Sequence, residues 1–341
     1  MRAVVYDGPK QFAVREVPTP TPGPREVRIK VSQVGVCGTD LHIHNGDFNA
    51  VFPLIPGHEV VGTIDSLGED VSRFGIGEQV TVNPNIYCGN CEYCLEGRLI
   101  LCSNMKGLGS NFPGFFADFV TVDQGLVFSV DGLDPDVAVF TEPAACAMHG
   151  LETLQLRPGA TALVFGAGPT GLLLAQLIKS GGAASVTVAA PSQFKLDTAK
   201  TLGIDETVLI DRTDMQANLA TLLAASGGGG GYDYVIEATG STDIGNICVP
   251  LTRNGGTVLV YGVTRGDETV SFHPFDVFRR EVTIKGSFAE MTSFAAAIRA
   301  LRSGRARTNG IITHRFSLDD YDKALDALAH DRSAHKIVIV P

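Results

Sequence analysis

The chain has 341 residues, 44% of them hydrophobic and 19% charged, which supports sizeable buried cores and excludes a disordered chain. At roughly 150 residues per domain, this length predicts two domains. Lys+Arg 27 against Asp+Glu 37 leaves a net charge of −10 without a long basic run, so neither nucleic acid nor an anionic membrane is an expected partner. A local basic pocket for a phosphate stays compatible with that balance.

In chain order, strand-like Ala3-Val4-Val5-Tyr6 follows Met1 almost at once, leaving no room for a secretory leader. Short strands follow at Val27–Val34, Val60–Leu67 and Phe119–Val122, separated by Gly and Pro as in Pro22-Gly23-Pro24. Many short strands with frequent turns predict an all-β, partly barrel-like unit to about residue 148. Within it lies Cys88-x2-Cys91-x2-Cys94-x7-Cys102. Four thiolates so close in sequence suit one tetrahedral Zn²⁺ with Zn–S bonds of about 2.3 Å, a closed shell that braces a loop and does no chemistry. Four unrelated thiols and an iron–sulfur cluster are the weaker alternatives. A looser set comprises Cys37-Gly38-Thr39-Asp40-Leu41-His42, Gly57-His58-Glu59 and Thr141-Glu142-Pro143. Cys, His and carboxylate are ligand types for a catalytic zinc, but spacing alone leaves a purely structural role for each equally open.

From Ala160 the pattern changes. The apolar run Ala160–Phe165 leads into Gly166-Ala167-Gly168-Pro169-Thr170-Gly171 and a helical stretch over Gly171–Ser180. Pro158–Ile178 carries no charge, yet the glycines in its middle favour strand–turn–helix over a membrane span. In that context the glycines predict a dinucleotide site, with the pyrophosphate against the helix N-terminus. Val186–Ala190, Phe194–Leu202, Thr207–Ile210, Tyr232–Ala238 and Thr257–Gly262 continue the alternation of strand and helix, predicting a parallel sheet covered on both faces to about Lys285. The Gly227–Gly231 run reads as a loop. The second strand ends in Val188-Ala189-Ala190-Pro191-Ser192, without the Asp or Glu that usually bonds the NAD ribose, while Ser192 and Lys195 follow closely. NADP is therefore expected in preference to NAD. The tail carries helical patterns at Thr292–Ser303 and Leu318–His330 and a terminal strand at Lys336–Val340, and is expected to rejoin the first domain.

Taken in order, GVCGTDLHIH, PGHEVVG, the four-cysteine lobe, TEP and GAGPTG resemble the zinc-dependent medium-chain dehydrogenase/reductases from end to end. The chain is most similar to their polyol dehydrogenases (sorbitol, xylitol and arabinitol), an impression that Phe275–Glu281 reinforces. The resemblance implies an α/β protein with a GroES-like, mostly-β catalytic domain (residues 1–148, structural-zinc lobe 88–102). A Rossmann doubly wound parallel-sheet cofactor domain (149–285) and a returning segment (286–341) complete it. It implies that Cys37 and His58 bind catalytic zinc, that Glu59 is a ligand or near neighbour, and that Glu142 stands where polyol enzymes place a third ligand. Asp40 would orient His58, and Thr39 and His42 match a proton relay. Cys146 is taken as helix packing.

The activity so implied is hydride transfer between a polyol or secondary alcohol and NAD(P)+, giving the ketose or ketone. Another zinc-dependent alcohol, threonine or sugar dehydrogenase is the alternative, and a non-catalytic NADP-binding protein the remote one. Gly166, Gly168, Pro169, Thr170 and Gly171, with Ser192 and Lys195, are the expected cofactor contacts. Phe48, Phe52, Phe112 and Phe288 are candidate pocket walls, and each is more often core. A cytoplasmic homodimer or homotetramer is expected, pairing through an edge strand near Thr257–Gly262 or its neighbours.

Overall fold

Strand Glu26–Val36 is the axis of the first unit, which comprises Met1–Ala145, Glu290–Arg302 and Gly310–Pro341. A computed structural model of the chain describes residues 1–47, 50–228 and 230–341. This strand pairs antiparallel with Glu59–Leu67, Phe119–Asp123 and the terminal strand Lys336–Val340. Gln79–Val82 and Val127–Ser129 extend the sheet on one side and Ile312–Ser317 on the other. Register shifts at Arg28/Ile29 and Val31/Gln33 place bulges in the central strand, and bulges bend and twist a sheet toward closure. Val27, Ile29, Val31 and Val34 point inward from it onto Phe115, Phe116 and Tyr321 in one core. An N-terminal hairpin, Arg2–Gly8 with Gln11–Glu16, adds Tyr6 to that core.

The second unit comprises Cys146–Ala289 and Ser303–Asn309. Its six strands are Thr161–Phe165, Ser185–Ala190, Glu206–Leu209, Tyr232–Glu237, Thr252–Val260 and Thr283–Gly286, all parallel. Numbered in chain order they lie 3-2-1-4-5-6, the doubly wound arrangement whose crevice opens between the first and fourth strands. Ala162–Phe165 and Val186–Ala190 are buried throughout, as strands covered by helices on both faces must be. The fold is thus α/β, a GroES-like mostly-β unit with a Rossmann unit. No helix among the described residues is long and apolar enough to cross a membrane.

Several element boundaries differ from those read in the sequence. The helix expected from Gly171 begins at Pro169, because proline at the first helical position lacks an N–H that would go unbonded there. The pattern at Leu318–His330 splits into a 3₁₀ turn, Leu318–Asp320, and a helix, Tyr321–His330. The strand near Thr257–Gly262 is interior and longer, Thr252–Val260, so the open edge on that side belongs to its neighbour Thr283–Gly286. Residues 303–309 group with the second unit.

Asp233 ties the lower ends of two neighbouring strands in that unit. Its carboxylate accepts the Thr161 N–H at 2.8 Å and the Thr161 hydroxyl at 3.0 Å, with Arg253 at 3.3 Å. Burial works against the charge, but these donors win and hold the carboxyl below its ordinary range. A depressed folded pKa contributes stability above the unfolded value of about 3.9, lost as pH falls through the folded pKa. Asp233→Asn should cost about 1–3 kcal/mol in urea unfolding at pH 7. The gap between variant and wild type should narrow below about pH 4. An equal gap at both pH values would contradict the assignment.

Candidate metal and cofactor sites

The first site follows from strand register. Gly35 pairs with Glu59 across the two antiparallel strands, so Cys37 and His58 leave their strands at the same end of the sheet. Cys37 then caps helix Gly38–Asn45. Its N–H donates to Asp40 Oδ2 at 2.8 Å, a reciprocal capping arrangement that fixes the first turn. The ligand atoms of Cys37, His58 and Glu59 lie within 4.8 Å of one another, with His58 and Glu59 buried. Gly35 makes this approach possible, since a Cβ there would meet Glu59 Oε2 at 2.1 Å and Lys336 Cε at 2.7 Å.

A thiolate, an imidazole and a carboxylate converging in a buried place are a zinc donor set. Two further observations fit an ion there. Burial pulls His58 down, but the Cys37 sulfur, Asp40 and Glu142 outweigh it and raise its pKa well above the ordinary value, so this centre attracts positive charge. His58 Nδ1 and Asp40 Oδ1 are buried 4.0 Å apart without a hydrogen-bond partner, leaving Asp40 placed to orient the ring. Burial raises the Asp40 pKa, and His58 works against that rise. Glu142, in the first turn of helix Thr141–Leu154, acts on His58 through its charge, and Cys146 stands one turn further on, half-buried. Thr39 Oγ1 lies 3.8 Å from Cys37 Sγ, and His42 Nδ1 lies 3.1 Å from Asp47 Oδ1.

Lys336 is a member of this centre that the sequence reading did not single out. Its ammonium is buried, donates to the Val36 carbonyl at 3.2 Å and pairs with Glu59. Burial lowers its pKa, but Glu59 and the Cys37 sulfur outweigh that and raise it. Glu290 is a second addition. Fully buried, it accepts from Asn85 Nδ2 at 3.1 Å and Asn83 Nδ2 at 3.4 Å. Burial pushes its pKa up to about 8, against the Asn85 bond and with help from Glu142.

The four lobe cysteines form the second cluster. The ligand atoms of Cys88, Cys91, Cys94 and Cys102 all lie within 4.8 Å of one another. Backbone donors turn toward the sulfurs: Cys88 N and Asn104 N approach Cys102 Sγ at 3.3 and 3.4 Å. The Asn90 backbone leads the groups that pull the Cys88 thiol down to about 6, the direction a metal thiolate requires.

The dinucleotide motif forms a third place, in the second unit. Gly166 has φ 108°, and a Cβ there would strike the Ala238 carbonyl at 2.8 Å. A Cβ on Gly171 would strike the Gly166 carbonyl at 2.2 Å, whereas Gly168 faces open space at the start of helix Pro169–Ser180. One glycine makes the turn, another lets the helix pack, and the one between leaves room for a pyrophosphate at the helix N-terminus. Thr170 lies in the first turn of that helix, and Ser192 caps the next, Gln193–Thr201, with Oγ accepting the Lys195 N–H at 3.5 Å.

The aromatic residues read as pocket walls have other surroundings. Phe52 packs against the core beside Tyr6, with ring centroids 6.4 Å apart. Phe112 lies under the Lys106 ammonium, Phe288 is exposed, and Phe48 falls outside the described residues.

Comparison with known proteins agrees with this geometry. Residues 23–132 match the alcohol dehydrogenase GroES-like domain, and residues 169–303 match the zinc-binding dehydrogenase family. D-arabinitol dehydrogenase 1 of Uromyces fabae is 40% identical over 342 residues, covering 100% of this chain and 97% of its own length. Sorbitol dehydrogenase of Halalkalibacterium halodurans is 33% identical, covering 100% and 99%. A zinc-binding dehydrogenase from Sinorhizobium meliloti 1021, solved bound to NADP, superposes with a TM-score of 0.93 at 32% identity, covering 100% and 99%. The chain belongs to the zinc-binding medium-chain alcohol dehydrogenases, within their polyol dehydrogenase subgroup. Its cofactors are accordingly zinc and a nicotinamide dinucleotide.

The cysteine lobe yields a direct test. Cys94→Ser should remove one of two zinc equivalents measured by atomic emission and lower Tm, by about 2–4 °C for each kcal/mol of bracing lost. An unchanged zinc content would contradict the lobe as a metal site.

Proposed function

We propose that this protein transfers a hydride between a secondary carbinol of a polyol and NADP, with the β-rich unit holding the reacting alcohol and the parallel-sheet unit the dinucleotide. The convergence of Cys37, His58 and Glu59 at one buried strand end carries this reading. When bound, zinc supplies a positive charge that acidifies a hydroxyl, and the nicotinamide supplies the hydride acceptor. Cys37 and His58 are the proposed zinc ligands, with Glu59 and Glu142 as the carboxylates available to complete the shell. Asp40 keeps the His58 ring oriented from behind. Thr39 Oγ1, one turn from Cys37, accepts the substrate hydroxyl proton, and His42, held by Asp47 and half-exposed, delivers it to solvent. The relatives named for arabinitol and sorbitol support a polyol as substrate.

NADP is favoured because the second strand ends in Ala190-Pro191-Ser192 without a carboxylate and is followed by Lys195. The NADP held by the Sinorhizobium meliloti relative is consistent with that choice. The thiolate sets suit a reducing compartment, and we place the protein in the cytoplasm.

Assembly is proposed through the open edge of the parallel sheet. Strand Thr283–Gly286 leaves one side unpaired, Ile284 on it is exposed, and Phe275 and Phe278 of helix Pro274–Arg280 are 67% and 79% exposed. An unpaired edge beside exposed aromatics is a surface that a second copy covers by pairing antiparallel across a twofold axis. A homodimer or a homotetramer satisfies this.

Two measurements check these proposals. Cys37→Ser and His58→Ala should each lower kcat/KM on an arabinitol and sorbitol panel by about 10³-fold or more, with NADPH affinity within about threefold of wild type. Wild-type turnover in either variant would contradict the metal centre. Phe278→Asp should sediment as a smaller species with unchanged circular dichroism, and a species of wild-type size would contradict the interface.

A further inference from the structure

We infer that Arg212 completes a binding site for the 2′-phosphate of NADP with Ser192 and Lys195, and is the residue that discriminates NADP from NAD. This rests on the NADP reading given above. Strands Ser185–Ala190 and Glu206–Leu209 run parallel with Ala190 opposite Leu209, and Ile210 N donates to the Ala190 carbonyl at 3.1 Å. The chain therefore leaves both strands at one place, setting residues 191–195 beside residues 210–214. That place is the carboxyl end of the second strand, where the adenosine ribose of a dinucleotide lies in this fold.

Two cations meet there without an anion between them. Lys195 is half-buried, and beyond its burial the charge of Arg212 presses its pKa down, so the two side chains feel each other. Neither makes a salt bridge or a side-chain hydrogen bond among the described residues. The acids around them are engaged elsewhere. Asp197 accepts from Gln193 at 2.8 Å, Asp211 accepts from the Thr213 N–H and hydroxyl at 2.8 and 2.7 Å, and Asp214 accepts from Ala217 N at 2.9 Å. An unpaired lysine and arginine facing one another are destabilised until a dianion sits between them. A phosphate monoester supplies that charge, and a guanidinium binds it through two parallel N–H donors. Ser192 Oγ, at the cap between the strand and Lys195, adds a neutral hydroxyl to the same place.

The test uses the full chain and two ligands that differ only in the group at issue, adenosine 2′,5′-bisphosphate and adenosine 5′-monophosphate, with binding read by titration calorimetry. Wild type should prefer the bisphosphate. Arg212→Gln should weaken the bisphosphate about tenfold or more and leave the monophosphate within about twofold. Arg212→Lys, which keeps the charge but not the fork, should fall between. A wild type that binds both ligands equally overturns the NADP reading and the inference with it. A wild type that prefers the bisphosphate, with Arg212→Gln unchanged, leaves NADP standing and overturns the role of Arg212. Equal weakening of both ligands also overturns it, because the residue would then not read the 2′ position.

Discussion

A single buried ammonium fixes the geometry on which the metal centre depends. Lys336 opens the terminal strand, and its Nζ bonds the carbonyl of Val36, the residue before Cys37, while pairing with Glu59, the residue after His58. Three strands are thereby held at one point: the terminal strand and the two that deliver the thiol and the imidazole. Taking a lysine out of water costs several kcal/mol, and only close anions keep it charged there. Here Glu59, the Cys37 sulfur and Glu142 raise its pKa against that cost, so the attraction wins. Removing one partner of such a pair costs about 3–5 kcal/mol because the other is left buried and unpaired. Gly35 belongs to the same constraint, since any side chain there would occupy the space of the ion pair.

Seen as charge, the centre gathers Asp40, Glu59, Glu142 and the Cys37 sulfur around two cations, Lys336 and the His58 ring. An excess of anionic donors in a buried place draws a metal ion and resists its loss. Glu290 stands at the border of this group, its two oxygens held by Asn83 and Asn85. Those bonds anchor the chain at residues 290–291, where Met291 O also accepts from Asn83 and the following Ser293 bonds the Ala145 carbonyl. Residues near the Glu142 turn are thus fastened from both sides by neutral and charged hydrogen bonds.

What the sequence disclosed and what it hid separate along one line. The cysteine lobe and the glycine turn are legible because their chemistry lies within a few consecutive residues, where spacing alone sets the geometry. Cys37 and His58 required a resemblance, because only the antiparallel register brings Gly35 opposite Glu59. Lys336 carries no local signal. It opens an apolar strand and reads as an ordinary polar boundary, and its partner is 277 residues away. Asn83 and Asn85 are likewise more than 200 residues from Glu290. Arg212 sits beside Lys195 only through the 3-2-1 order of the sheet, and the edge strand was misplaced for the same reason. Periodicity identifies a strand but does not say which strands become its neighbours.

The central claim is that Cys37, His58 and a neighbouring carboxylate hold a zinc distinct from the one held by the cysteine lobe. Zinc-edge X-ray absorption on purified protein tests it most directly. The account predicts two zinc populations, one with four sulfur neighbours at about 2.3 Å and one with a single sulfur and nitrogen or oxygen neighbours at about 2.0–2.2 Å. An all-sulfur spectrum from fully active protein would contradict it.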